Sequence, residues 1–125
     1  MSRTILVADD ESHILAVVSL KLRNAGYRVV TARDGREALD AARQEHPDLL
    51  ITDYHMPEMS GLELCQALKE QPDTSNIPAI MLTARGYCLE EADTEKNGVL
   101  CTISKPFSPR QLLATVNDVL QKVAA

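Results

Sequence analysis

Five short runs of apolar residues recur along the chain, and longer amphipathic stretches separate them. In chain order the runs cover Ile5–Ala8, Tyr27–Thr31, Leu49–Thr52, Ala79–Leu82 and Val99–Ile103. Most runs are continuously apolar rather than alternating, which is typical of strands that are buried on both faces of a sheet. We therefore expect five strands of a parallel sheet with helices covering both faces.

The stretches between the runs predict five helices. Apolar residues at helical spacing predict the first helix over about residues 12–25. Asp34, Ser60 and Ser108 precede the second, third and fifth predicted helices as N-caps. The fourth, over about residues 88–97, has the weakest apolar face, and we expect it to be short, mobile or poorly packed. Strands alternating with helices predict an α/β fold with a doubly wound parallel sheet.

Composition narrows the function classes. A chain of 125 residues with 45% hydrophobic and 25% charged residues is expected to form one globular domain, residues 1–125. The net charge of −5 argues against nucleic-acid binding, and no apolar run approaches the length of a membrane span. Three cysteines without CxxC spacing argue against a disulfide scaffold or a zinc site, so we expect a cytoplasmic location.

Polar side chains follow four of the five apolar runs. Asp9 and Asp10 follow the first run, Asp53 the third, Thr83 the fourth and, after one serine, Lys105 the fifth. The carboxyl ends of parallel strands meet at one edge of a sheet, where such folds bind their ligands. We therefore expect these five side chains to share one site.

This set of side chains is suited to phosphoryl transfer. Clustered carboxylates repel one another, and a hard cation such as Mg²⁺, or Mn²⁺ in its place, relieves the repulsion. Lys105 can neutralise the site or pair with Asp53, and Thr83 can donate a hydrogen bond to a phosphoryl oxygen. Asp53 is the best candidate nucleophile, while Asp9 and Asp10 are better placed as metal ligands.

Four motifs in this order and at these separations resemble the receiver domains of response regulators in bacterial two-component signalling, the CheY-like family. The resemblance spans the chain from Ile5 to about Val123 and implies a flavodoxin-like sheet with strand order 2-1-3-4-5. The motifs are VADDE at 7–11, DYHMPEMSG at 53–61, LTA at 82–84 and KPF at 105–107.

The resemblance implies a role for each matching position. Asp53 is the phosphoacceptor, and Asp9, Asp10, Asp53 and the backbone carbonyl of His55 bind Mg²⁺. The phosphoryl-contacting or switching residues are Thr83, Ala84 and Lys105. The residues that support the loops and turns are Pro57, Gly61 and Pro106, with a cis bond between Lys105 and Pro106.

Three positions are expected to tune the behaviour of the domain. The family usually has Tyr or Phe three residues before the lysine, as a switch coupled to the threonine, whereas this chain has Thr102. His55 and Arg85 lie two residues after Asp53 and Thr83, where the family tunes dephosphorylation. The resemblance therefore leaves the mode of switching and the phosphoryl lifetime open.

The implied partners are a histidine kinase or histidine phosphotransfer protein and a downstream effector. The effector would bind the face formed by the fourth predicted helix, the fifth strand and the fifth predicted helix, and phosphorylation would shift a pre-existing equilibrium of that face. No output domain is expected in this chain, nor contact with nucleic acid or membrane. The only chemistry expected is the domain's own phosphorylation and autodephosphorylation.

Two alternatives come from other functional classes. A receiver-like interaction module that needs no phosphate is consistent with Thr102 and with the weak fourth helix. A Mg²⁺-dependent phosphohydrolase with an aspartyl-phosphate intermediate ranks lower, because such enzymes place a second acid where this chain has His55. Phosphate uptake distinguishes the first alternative from a switch, and turnover of unrelated phosphomonoesters distinguishes the second.

Overall fold

The computed structural model describes residues 3–84 and 96–124, and within them five strands form one parallel sheet. The strand order is β2-β1-β3-β4-β5, which confirms the order implied by the resemblance. The strands are β1 (Thr4–Ala8), β2 (Arg28–Ala32), β3 (Leu49–Asp53), β4 (Ala79–Thr83) and β5 (Val99–Ser104).

The described residues contain four helices rather than the five predicted. The predicted helix at about residues 88–97 falls mainly within residues 85–95, which lie outside the described residues, as does Arg85. The helix after β5, predicted as the fifth, is therefore α4 here. The four helices are α1 (Ser12–Asn24), α2 (Gly35–Glu45), α3 (Gly61–Lys69) and α4 (Pro109–Ala124).

Alternate residues of the central strands point into two different apolar layers. Ile5 and Val7 of β1 pack in the layer that contains buried residues of α1 and α4. Leu6 and Ala8 pack in the opposite layer, with buried residues of α2 and α3. Both faces of β1 are thus buried, as are all residues of β3 and β4. Burial on both faces explains why the runs that form β1, β3 and β4 are continuously apolar. The two apolar layers confirm the predicted architecture.

The predicted N-caps are confirmed. The side chain of Asp34 accepts a hydrogen bond from the backbone of Glu37, at 2.8 Å. Ser60 and Glu63 form a reciprocal capping box, with bonds of 3.1 and 3.0 Å. Ser108 accepts from the backbone of Gln111 at 3.4 Å. None of the helices in the described ranges is long and apolar enough to cross a membrane.

Candidate functional site

The carboxyl edge of the sheet gathers the polar side chains that the sequence placed at the strand ends. Asp9 and Asp10 directly follow β1, while Asp53 is itself the last residue of β3. Likewise Thr83 is the last residue of β4 rather than the first residue after it, and Lys105 directly follows β5. The strands that hold Asp53 and Thr83 thus run one residue further than the apolar runs predicted, because both residues still pair with the neighbouring strand. Both side chains are buried.

Three carboxylates form a close cluster at this edge. Each of Asp9, Asp10 and Asp53 offers a carboxylate oxygen, and these oxygens lie within 4.8 Å of one another. Asp9 is fully buried and Asp53 is 5% exposed, whereas Asp10 is exposed. The cluster therefore has two buried oxygen donors and one side open to solvent, which suits a hard cation such as Mg²⁺ that keeps water or phosphate oxygens among its ligands.

Lys105 lies against this cluster and contacts three carboxylates. Its Nζ atom is 2.9 Å from Oδ2 of Asp9, 2.9 Å from Oε1 of Glu11 and 3.4 Å from Oδ1 of Asp53. The expected pairing with Asp53 is present, but the other two contacts are shorter. The sequence assigned Glu11 no role, although it directly follows the acidic pair in the first motif.

The backbone of Lys105 is hydrogen-bonded to the end of β4. The amide of Lys105 donates to the carbonyl of Thr83 at 2.8 Å, which continues the pairing of β4 with β5 by one residue. The bond between Lys105 and Pro106 is cis, as the resemblance implied. The pairing of β4 with β5 therefore extends to Lys105, whose side chain reaches the carboxylates across the ends of the strands.

The ionisation of the site follows from its burial and crowding. Burial, with the nearby charge of Asp9, raises the pKa of Asp53 to about 6 even though Lys105 opposes the shift. Burial lowers the pKa of Lys105, but hydrogen bonds to Asp9 and Glu11 outweigh it and leave that pKa raised. The hydrogen bond and charge of Lys105 lower the pKa of Glu11. The carboxylates of the site thus outnumber the one ammonium that contacts them.

The loop after β3 packs closely against the backbone of Asp53, the candidate nucleophile. The amide of Gly61 donates to the carbonyl of Tyr54 at 2.9 Å, and the amide of Tyr54 donates to the carbonyl of Leu82 at 2.8 Å. A Cβ atom at Gly61 would lie 2.4 Å from the backbone oxygen of Asp53, so no larger residue fits without a shift. Gly61 thus allows α3 to begin directly beside the end of β3.

The remaining predicted site residues lie around this cluster. Thr83 is 2% exposed, and Ala84 directly after it is exposed. His55 is exposed in the loop after β3, with its ring edge-on to that of Tyr54 at a centroid distance of 4.8 Å. Thr102 is an exposed residue of β5, opposite Met81 of β4. Pro57 and Pro106 are exposed in the loops that follow β3 and β5.

Comparisons with known proteins identify the family of this chain. A family model described as the response regulator receiver domain matches residues 5–117. The chain is 38% identical over 122 residues to the alkaline phosphatase synthesis transcriptional regulatory protein PhoP of Bacillus subtilis, covering 98% of this chain and 50% of that protein. It is 41% identical over 119 residues to the probable transcriptional regulator ycf27 of Galdieria sulphuraria, covering 95% and 46%. The chain thus spans about half the length of the curated relatives it matches.

Solved structures show the same likeness across the whole fold. The chemotaxis response regulator CheY4 of Vibrio cholerae has a TM-score of 0.87 and 36% identity, covering 95% of this chain and 99% of that one. A response regulator from Chloroflexus aurantiacus has a TM-score of 0.88 and 34% identity, covering 97% and 99%. With its four motifs assembled at one edge of a sheet of this topology, the chain belongs to the response regulator receiver domain family.

Proposed function

We propose that this receiver domain is a switch activated by phosphorylation of Asp53 in a reaction that depends on Mg²⁺. The observation that carries the proposal is the cluster itself. Three carboxylate oxygens lie within 4.8 Å of one another, and the Lys105 ammonium lies 3.4 Å from Asp53. Such a set can supply a nucleophile, a cation site and a fixed positive charge for the oxygens of a transferred phosphoryl group.

The proposed roles rest on the family to which the chain belongs and on the places of these residues at the carboxyl edge of the sheet. Asp9, Asp10, Asp53 and the backbone carbonyl of His55 would hold Mg²⁺, which when bound neutralises the carboxylates and the phosphoryl oxygens. A carboxylate oxygen of Asp53 forms a bond to the phosphorus of a phosphohistidine. The P–N bond breaks, and the departing imidazole nitrogen keeps the electron pair. Lys105, Thr83 and the backbone of Ala84 then bind the oxygens of the phosphoryl group.

The proposed partners are a histidine kinase or phosphotransfer protein as donor and an effector as target. The effector would bind the side of the domain that includes β5 and α4, where Leu100 and Val123 are 52% and 47% exposed. The relatives named as transcriptional regulators support an output in gene expression. On this proposal the domain catalyses only its own phosphorylation and dephosphorylation, and it turns over no separate substrate.

The direct test is intact mass after incubation with Mg²⁺ and acetyl phosphate. We expect a gain of one phosphoryl group that is absent with EDTA and absent in Asp53→Asn. Asp40→Asn, which removes an exposed carboxylate of α2, is the matched control and should be labelled normally.

Three outcomes would contradict the proposal. Labelling of Asp53→Asn would show that another residue is the acceptor. A folded protein that takes no phosphoryl group from acetyl phosphate or from a panel of phosphorylated kinases would be a phosphate-independent interaction module. Turnover of unrelated phosphomonoesters would identify a phosphohydrolase.

A further inference from the structure

Glu11 stands at the N-cap position of α1, but its carboxylate faces Lys105 and not the helix. Glu11 is the N-cap residue of α1, with φ −88° and ψ 110°, yet within the described residues its side chain makes no capping bond. At the equivalent place before α2 and α3, Asp34 and Ser60 cap the helix in the ordinary way. The Glu11 carboxylate instead accepts a hydrogen bond from Lys105 at 2.9 Å. Glutamate is not among the residues that usually cap a helix, so the bond from Lys105, and not helix capping, is the interaction to which this side chain contributes.

The contacts of Lys105 show how Glu11 differs from the other two carboxylates around it. Its ammonium is nearer to Asp9 and Glu11, at 2.9 Å each, than to Asp53, at 3.4 Å. Asp9 and Asp53 belong to the proposed cation site, whereas Glu11 does not. A bound cation would compete with Lys105 for Asp9 and Asp53 and leave Glu11 unchanged. Of these three carboxylates, Glu11 is therefore the one that a bound cation would not draw away from Lys105.

We propose that Glu11 is a positioning residue that restrains Lys105 on the side of Asp9, away from the phosphoryl group that Asp53 receives. The inference rests on the proposed function. In the unphosphorylated domain Glu11 stabilises the position of the ammonium seen here. After phosphoryl transfer, Lys105 turns towards the new oxygens on Asp53 and weakens its bond to Glu11. A contact made in one state and weakened in the other shifts the equilibrium between the states by the difference in its strength.

The geometry allows this role to be separated from a structural one. The backbone amide of Glu11 donates to Oδ1 of Asp9 at 3.0 Å, a bond that any residue at position 11 other than proline retains. The other carboxylate oxygen of Glu11 lies 3.6 Å from Nε2 of His13 at the exposed start of α1. Glu11→Gln therefore removes the charge that faces Lys105 while keeping the backbone bond, the side-chain length and the helix start.

The experiment is the rate of Asp53 labelling by acetyl phosphate at saturating Mg²⁺. For Glu11→Gln we expect a rate about two- to fivefold above the parent protein, in keeping with the strength of a partly exposed ion pair. Glu45→Gln is the matched control, because it removes one carboxylate from an ion pair with Arg28 at the opposite edge of the sheet. It should leave the rate unchanged.

A double-mutant cycle tests whether Glu11 acts through Lys105. In a Lys105→Met background, Glu11→Gln should no longer increase the rate. A gain that persists would mean that Glu11 acts by its charge alone and would overturn the inference. The ¹⁵N resonance of the Lys105 ammonium gives a second measurement, which needs no phosphorylation of the protein. It should move in Glu11→Gln but not in Glu45→Gln, and an unmoved resonance would also overturn the inference.

The failure of this inference is distinct from a failure of the proposed function. If the parent protein is labelled, Asp53→Asn is not, and Glu11→Gln is labelled at the parent rate or more slowly, Glu11 does not restrain Lys105, but Asp53 remains the acceptor. If the parent protein is never labelled, the proposed function itself is wrong.

Discussion

The Nζ atom of Lys105 lies 2.9 Å from Oδ2 of Asp9, although 96 positions of sequence separate the two residues. Asp9 follows β1 and Lys105 follows β5, and in the sheet β3 and β4 lie between those strands. The lysine side chain therefore reaches across the ends of two strands to a carboxylate that is fully buried. The pair joins the centre of the sheet to its edge and balances part of the negative charge of the site.

Replacing Lys105 should destabilise the metal-free domain. Lys105→Met leaves the buried Asp9 carboxylate without its ammonium partner, and we expect the free energy of unfolding in EDTA at pH 7 to fall by about 1–3 kcal/mol. Urea denaturation measures the change. Lys122→Met is the control, because it breaks only an exposed ion pair with Asp118 on α4 and should change stability by less than about 0.5 kcal/mol.

Added Mg²⁺ provides a further check on Lys105→Met. If the carboxylate cluster binds the cation, Mg²⁺ should stabilise this variant more than the parent protein, because the cation supplies the positive charge that the variant lacks. Equal stabilisation of the two proteins would argue against a shared role of Lys105 and the cation in balancing the cluster.

The raised pKa of Asp53 predicts a dependence of stability on pH. With a pKa of about 6 in the folded protein against an ordinary 3.8, the folded state binds the proton more tightly between these values. The contribution of Asp53 to stability therefore falls as pH rises through that window. In EDTA at pH 7–8, Asp53→Asn should be more stable than the parent protein by about 1–3 kcal/mol.

The gain from Asp53→Asn should shrink as the pH falls towards 4, where the parent carboxyl is protonated in the folded state and increasingly so in the unfolded state. Chemical denaturation at several pH values measures it, with Asp40→Asn as the control for the loss of one negative charge. A less stable Asp53→Asn at pH 7–8 would show that Asp53 carries no such penalty in the folded state.

The close approach at Gly61 predicts that its replacement harms both stability and phosphorylation. A Cβ atom there would lie 2.4 Å from the backbone oxygen of Asp53 and 2.8 Å from Sδ of Met81. Gly61→Ala should therefore lower the free energy of unfolding by about 1–3 kcal/mol and slow the labelling of Asp53.

Gly26→Ala separates these two effects. Gly26 has a φ of +99°, but a Cβ atom there would meet no other atom within 4 Å, so alanine at this position introduces only backbone strain. It should reduce stability by roughly 1 kcal/mol and leave the labelling rate unchanged. Normal labelling of Gly61→Ala would show that the site tolerates a shift of this loop.

The left-handed backbone of His46 predicts a stabilising substitution. His46 ends α2 with a φ of 47°, a conformation that glycine adopts more readily than histidine. His46→Gly should raise the free energy of unfolding by about 0.5–1 kcal/mol. Ala16→Gly, at an exposed position inside α1, should lower it by about 0.5–1 kcal/mol, because glycine is disfavoured in a helix interior. Changes of equal sign in the two variants would contradict this explanation.

Local patterns were sufficient to predict the strands and several helix starts, whereas the strand order came from the resemblance to the receiver family. The apolar runs identified all five strands. The signal was clearest for β1, β3 and β4, because a strand with both faces buried must be apolar throughout, as β3 shows from Leu49 to Ile51. The helix starts at Asp34 and Ser60 were predictable because a cap depends on residues only three positions apart. The topology added that the ends of β1, β3, β4 and β5 share one edge, which brought Asp9, Asp53 and Lys105 together.

The arrangement inside the site was decided only by the tertiary structure. The sequence does not distinguish Asp9 from Asp10, yet the first is fully buried and the second is exposed. Nor does any local pattern show that Lys105 is nearer to Glu11 than to Asp53, since the lysine and Glu11 are 94 positions apart. Contacts of this kind depend on strand order, on the start of α1 and on the path of one long side chain. These are properties of the packed molecule and not of any segment of it.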